Sequence, residues 1–322
     1  YQIGIIQIEN NNFDKAQTAL KTILSPVAQS LSSYDTATLD EISNYAKIAL
    51  ARMYYQQSDF KKSIIFYRAV DRYSTLFYDS LWEQAWAFFM AGYPNHALGA
   101  LHSADSPFYK EQFNPEISIL RAMIYYWMCR YEDSKFALAE FIDNHAEEIE
   151  QLNKFLSRKN LNEQTAYMLF EDFIGGVSES SLGISKRILK TAAEQDSMKL
   201  VREQYAALIS EINKFQAKGI YGNIQYSSQV YAILSKLAEQ LKAKIGRELL
   251  REFVELKKEY ERLYEQSQFL YIELLMSQKE QILGKELHAE TKIDRISSKK
   301  DILGWGKNTQ SWGDKAYLGE YW

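Results

Sequence analysis

The sequence predicts an all-α fold: a helical solenoid, then long antiparallel helices, then an extended aromatic tail. Three observations predict it. Small residues recur in pairs twelve positions apart: Gly4 and Ala16, Ala51 and Ser63, Ala85 and Ala97, Ala122 and Ser134. All four prolines (Pro26, Pro94, Pro107, Pro115) precede the last 207 residues, and proline is the residue that breaks helices. Between Ser228 and Ile296 apolar residues recur at spacings of three and four, the period of a helix face.

Each small-residue pair brackets the same grammar: an apolar helix, a short polar turn, a second amphipathic helix. The turns read Asn11-Asn12-Phe13-Asp14, Ser58-Asp59-Phe60-Lys61, Ala91-Gly92-Tyr93-Pro94 and Cys129-Arg130-Tyr131-Glu132. A small side chain on each helix lets the two backbones approach where they cross. Such self-similarity marks a helical repeat array.

The step from Ala51 to Ala85 is 34 residues; the steps from Gly4 to Ala51 and from Ala85 to Ala122 are 47 and 37. The excess lies between helices, as 25–41 and 106–115. Leu50, Ala51, Tyr54, Tyr55, Ser63 and Tyr67, and again Ala122, Tyr125, Tyr126, Ser134 and Leu138, resemble the tetratricopeptide (TPR) pattern, whose period is 34. Serine replaces the family's usual alanine twice, and Gly92 alone supplies a turn glycine. The resemblance covers about residues 1–147 and implies a stack of helical hairpins.

Residues 148–225 read as divergent repeats or capping helices: Leu161–Phe173 with Asn162-Glu163 at its start, Ile184–Glu194 opened by the cap cluster Ser178-Glu179-Ser180-Ser181, and Met198–Phe215. Their expected breaks are Gly175-Gly176, Gly183, and Gly219 with Gly222. Residues 226–300 carry the stripe Val230, Leu234, Leu237, Leu241, Ile245, Leu249, Phe253, Leu256, Tyr260 and Leu263, with Glu255-Leu256-Lys257-Lys258-Glu259 presenting the opposite face. The run of fours from Leu237 to Phe253 departs from a strict heptad. Gly246 and Gly284 are the expected bends or breaks. The stripe is expected to be covered within the chain, with Met198–Phe215 as partner, or by a second chain as a coiled coil. Residues 301–322 form the tail, after the polar hinge 297–301. Three of the six tryptophans lie in its last 18 residues. Glycine-punctuated aromatics do not make a stable helix. The segment is expected to be extended, either docked on the helical body or displayed as a binding platform.

Composition bounds the function. The chain has 322 residues, 25% of them charged, with net charge −4 and pI about 5.8, which points away from nucleic acid. No apolar run approaches the length of a membrane span. Cys129 is the one cysteine, so neither an intrachain disulfide nor a cysteine-based metal site is available. His96, His102, His145 and His288 are scattered, and His96 and His102 fall on different faces of one helix. The chain begins at Tyr1, inside a repeat, so a further segment is expected upstream.

Catalytic motifs are missing: there is no GxSxG, no GxxxxGK[ST] and no GxGxxG after a strand. Gly304-Trp305-Gly306 opens no helix of an α/β unit. Acidic pairs such as Glu171-Asp172 read as solvated helix faces. The expectation is a protein without enzyme activity and without cofactor. Candidate partner contacts are Lys47, Tyr54, Trp82, Gln84, Arg121 and Tyr125 on the first helices of the repeats, because a TPR stack presents those helices along its concave face. Trp305, Trp312, Tyr317, Tyr321 and Trp322 are the candidates in the tail.

Residues 83–109 and 115–133 are similar to cell-envelope TPR proteins of predatory and gliding bacteria, including gliding-motility TPR lipoproteins. The ending Gly319-Glu320-Tyr321-Trp322 is similar to theirs too. That resemblance implies a periplasmic, outer-membrane-associated scaffold that binds other proteins. The family's lipidated N-terminal cysteine is expected outside residues 1–322, since Cys129 lies mid-chain. The alternatives are a peptidoglycan-binding protein using the aromatic tail, and a cytoplasmic location.

Overall fold

The computed structural model describes residues 1–26, 30, 35–176, 183–217 and 227–287. Among them are twelve α-helices and a short 3-10 turn, with no strand. The helices are α1 (Gln2–Glu9), α2 (Phe13–Ile23), α3 (Thr36–Gln56), α4 (Phe60–Arg68), α5 (Phe77–Met90) and α6 (Pro94–Ala104). They continue as α7 (Glu116–Trp127), α8 (Tyr131–Leu156), α9 (Glu163–Ile174), α10 (Lys186–Ala193), α11 (Asp196–Ala217) and α12 (Ser227–Leu287). The chain forms two compact units. The first holds 1–109, 120–137 and, from the long helix, 273–287; the second holds 110–119 and 138–272.

In the first unit the four turns repeat the same backbone chemistry. Asn11, Ser58, Gly92 and Cys129 all take positive φ, at 57°, 61°, 82° and 56°. The amides of the next residues, Asn12, Asp59, Tyr93 and Arg130, donate to the carbonyls five positions back: Gln7, Tyr54, Phe88 and Tyr125. This is the six-to-one bond of a Schellman helix end. In each case that same next residue then accepts the amide of the small residue opening the second helix: Ala16, Ser63, Ala97 and Ser134. Only Gly92 adopts the left-handed conformation without steric cost. The other three hold it because the bonds around them fix it.

The small residues do what their spacing predicts. Ala16, Ala51, Ser63, Ala85, Ala97, Ala122 and Ser134 are fully buried. A methyl at Gly4 would sit 2.7 Å from Leu20, and Ser134 Oγ donates to the Ala122 carbonyl at 2.7 Å. Helices α1 and α2, α3 and α4, and α5 and α6 pack as pairs; α2 also packs on α3, and α4 on α5. Leu20, Leu50, Met53 and Tyr54 share one apolar cluster with Ala16 and Ala46.

The second unit is built around the long helix. Asn162 caps α9 by accepting the Thr165 amide at 2.8 Å. Ser185 caps α10 through the Arg187 amide; the serine cluster expected there, 178–181, lies outside the described residues, as do Gly219 and Gly222. Phe253 meets Phe155 edge-on at 5.8 Å, and Tyr260 stacks on Phe141 at 5.3 Å. These rings come from α8, whereas α11, the partner expected from sequence, reaches α12 through Ser197 and Glu252.

Two expectations for α12 need correction. The helix is unbroken from 227 to 287, so neither Gly246 nor Gly284 ends it. Gly246 is instead a point of contact: a Cβ there would lie 1.9 Å from the Glu163 carbonyl oxygen. The buried stripe also differs in register. Ala238, Ile245, Leu249, Phe253, Tyr260, Leu263, Leu270 and Leu274 are buried, but Leu237 is 42% exposed and Leu234, Leu241 and Leu256 are half-buried. The reason is geometric. At 3.6 residues per turn, four successive steps of four rotate the face by about 160°, so Leu237 and Phe253 cannot face one partner. Lys258 and Glu259 are exposed as expected, and Lys257 is half-buried.

Candidate functional site

The candidate site is a strip of rings on the first helices of the pairs in the first unit. Asp79, Trp82, Trp86 and Phe89 follow spacings of three and four, so they share one face of α5. Trp82 Nε1 lies 3.3 Å from the Asp79 carboxylate, and both tryptophans are half-buried. Phe89 meets Trp127 of α7 edge-on at 6.1 Å. Trp127 and Met90 are each 50% exposed. For large apolar side chains on adjacent helices this is a substantial apolar surface open to solvent.

A cation is tied to the same helix, α5. Arg52 of α3 is bound by Glu83 of α5 through Nε at 2.8 Å and Nη2 at 2.5 Å. The guanidinium side chain is 57% exposed while the carboxylate is 10% exposed. Tyr67 Oη of α4 donates to the same carboxylate at 2.9 Å. Burial, and then the Glu83 charge, push the Tyr67 phenol above its ordinary range, so it remains a donor. Glu83 thus joins three helices and presents the edge of Arg52 outward.

Of the candidates read from sequence, Trp82 lies on this strip. Lys47 is half-buried, with Nζ 3.0 Å from Asn44 Oδ1 on its own helix. Tyr54 is 3% exposed, stacked on Phe66 at 5.5 Å within the core. Gln84 is fully buried. Arg121 is ion-paired to Asp105. Tyr125 is 7% exposed beneath the Arg130 guanidinium, 4.6 Å from its ring centre. Tyr54, Gln84 and Tyr125 are therefore not surface residues: their places on the helices face the core. Trp305, Trp312, Tyr317, Tyr321 and Trp322 lie outside the described residues.

Sequence reasoning passed over Arg52, Trp86, Phe89, Met90 and Trp127. A signal for them exists. Aligning the repeats on Ala51, Ala85 and Ala122 puts Arg52, Trp86 and Met123 in one column, Tyr55, Phe89 and Tyr126 in a second, and Gln56, Met90 and Trp127 in a third. The outward-facing columns are those next to and four or five beyond the small residue.

Among the described residues no helix is long and apolar enough to cross a membrane, and no group of three His, Cys, Asp or Glu side chains is placed to hold a metal ion. No protein-family model, curated protein or solved structure matches this chain.

Proposed function

We propose that this chain is a non-catalytic scaffold, a TPR-type helical solenoid that holds a segment of a partner protein against its ring-lined strip. The antiparallel hairpins of such a solenoid set their first helices along the concave side, and the strip lies on first helices. The repeated turn geometry supports this reading, as do the buried small-residue crossings. Its place is a bacterial cell-envelope assembly on the periplasmic side, a proposal that rests on the resemblance of residues 83–109, 115–133 and the chain's ending to envelope TPR proteins.

One observation carries the binding role: Trp127, half-exposed, meets Phe89 edge-on, Met90 is half-exposed on the same helix as Phe89, and Arg52, held by Glu83 of that helix, turns outward. Tryptophan and arginine are the side chains that dominate binding energy at protein interfaces. A partner fitting the strip is an extended or helical peptide with apolar side chains and an acidic residue for Arg52.

The test is a display selection of peptides on the full chain. Enriched peptides should lose about thirtyfold in affinity for Trp127→Ala, the size of a hot-spot truncation. They should lose less for Arg52→Ala, since an exposed charge contributes little. Peptides that bind the parent and Trp127→Ala equally would refute the assignment.

A further inference from the structure

We propose that residues 302–322 of this chain are themselves a ligand for the ring-lined strip, binding it in cis and competing with the external partner. The inference rests on the strip being a binding surface, as above, and identifies its first occupant.

The end of α12 is fastened beside the strip. Tyr126 Oη and Ser277 Oγ are 3.1 Å apart, and Gln278 Nε2 donates to Glu132 Oε1 at 2.7 Å. Leu274 is fully buried. This end of α12 belongs to the first unit, and the Tyr126 it binds is the residue before Trp127 in the chain. From Gln278 to the helix end at Leu287 is about 14 Å at 1.5 Å per residue.

The intervening chain is long enough. Residues 288–301 can span up to about 46 Å when extended. The strip from Phe89 to Trp82 occupies about 10 Å of one helix, so residues 302–322 can reach it in either direction.

The chemistry matches. Residues 302–322 contain Trp305, Trp312, Tyr317, Tyr321 and Trp322, set among four glycines. Lys307 and Lys315 are balanced by Asp314 and Glu320, so the contact requires no opposite charge on the strip. Rings pack favourably edge-on or offset against other rings, the arrangement Phe89 and Trp127 already adopt. Tethering makes this segment the favoured occupant over a second copy: a short linker gives an effective concentration of about millimolar.

The test uses a labelled synthetic peptide of residues 302–322, the full chain, and a chain ending at residue 301 with unchanged helix content. The shortened chain should bind the peptide saturably. Trp127→Ala and Met90→Glu in that background should each weaken binding at least tenfold. The full chain, its strip already occupied, should bind the peptide at least tenfold more weakly than the shortened one. No binding to the shortened chain, or equal binding to both chains, overturns the proposal. So does a full chain that blocks the peptide only as a dimer by light scattering, since the segment would then lie in a second copy. Failure here with intact binding of display-selected peptides leaves the scaffold reading standing. Binding of residues 302–322 with no selected peptide, even on the shortened chain, leaves the cis contact and removes the scaffold reading.

Discussion

Replacing Gly246 with alanine sets two effects of known size against each other. In a helix interior, alanine is favoured over glycine by about 1 kcal/mol, so propensity alone predicts a more stable protein. The packing predicts the reverse. The new Cβ would lie 1.9 Å from the Glu163 carbonyl oxygen, 2.7 Å from its carbon and 3.0 Å from its Cα. All three are backbone atoms at the start of α9, and none can rotate away. An ordinary carbon–oxygen contact is about 3.3 Å, so α12 and α9 must separate by more than 1 Å. Neighbouring Ile245 and Leu249 are fully buried, so the separation opens a packed seam. Overpacking of this kind costs about 1–3 kcal/mol, and a backbone obstacle places it at the upper end. The net effect is a loss of about 2 kcal/mol, or about 3 °C in Tm for a chain of 322 residues. Urea and thermal unfolding followed by circular dichroism measure both. A variant as stable as the parent, or more stable, would refute the close approach of α12 to the Glu163 backbone.

Other positions give independent checks. His145 is 4% exposed between Phe113 and Phe141, facing Arg187, and its Nδ1 finds no partner among the described residues. Burial first, then the Arg187 charge, lowers its pKa from 6.5 to about 4. The unfolded chain therefore binds a proton that the folded chain refuses. Stability from this group is complete above pH 6.5 and falls by about 3 kcal/mol as pH drops to 4; His145→Gln should flatten that part of the urea-midpoint profile. Ser58→Gly should stabilise by about 0.5 kcal/mol, because φ of 61° suits glycine, and a lower urea midpoint would argue against the turn geometry. Ala85→Leu, placed at a fully buried crossing, should cost about 1–3 kcal/mol in the same assay.

The helices were legible because their signals are local. Small residues twelve apart, a proline-free stretch and caps such as Asn162 depend on neighbours in sequence. The expected helix over Met198–Phe215 appears as Asp196–Ala217, and the one over Leu161–Phe173 as Glu163–Ile174. The faces were less legible, because facing depends on accumulated rotation along a helix. Tyr54 and Arg52 are two residues apart yet about 200° apart around the axis; aromatic character drew attention to Tyr54, which the core needs. The same drift moved the α12 seam from Leu237 to Ala238. Glu83 was out of reach altogether: its ties to Arg52 and Tyr67 join helices 31 and 16 residues apart, and no periodicity encodes them. Gly246 carried a signal, a glycine inside a helical pattern, but its meaning depends on Glu163, 83 positions earlier.

The central claim is that the strip on α5 and α7 binds a protein segment. Calorimetric titration of one display-selected peptide into four versions of the chain ending at residue 301 tests it: the unsubstituted chain, Trp82→Ala, Trp127→Ala and Ile65→Ala. Ile65 is 63% exposed on α4, the second helix of its pair, and serves as the control for losing an exposed apolar side chain. The account predicts affinity unchanged by Ile65→Ala and reduced at least tenfold by each tryptophan change, with all four proteins equally helical. Equal affinities across the four, or a loss confined to Ile65→Ala, would contradict it.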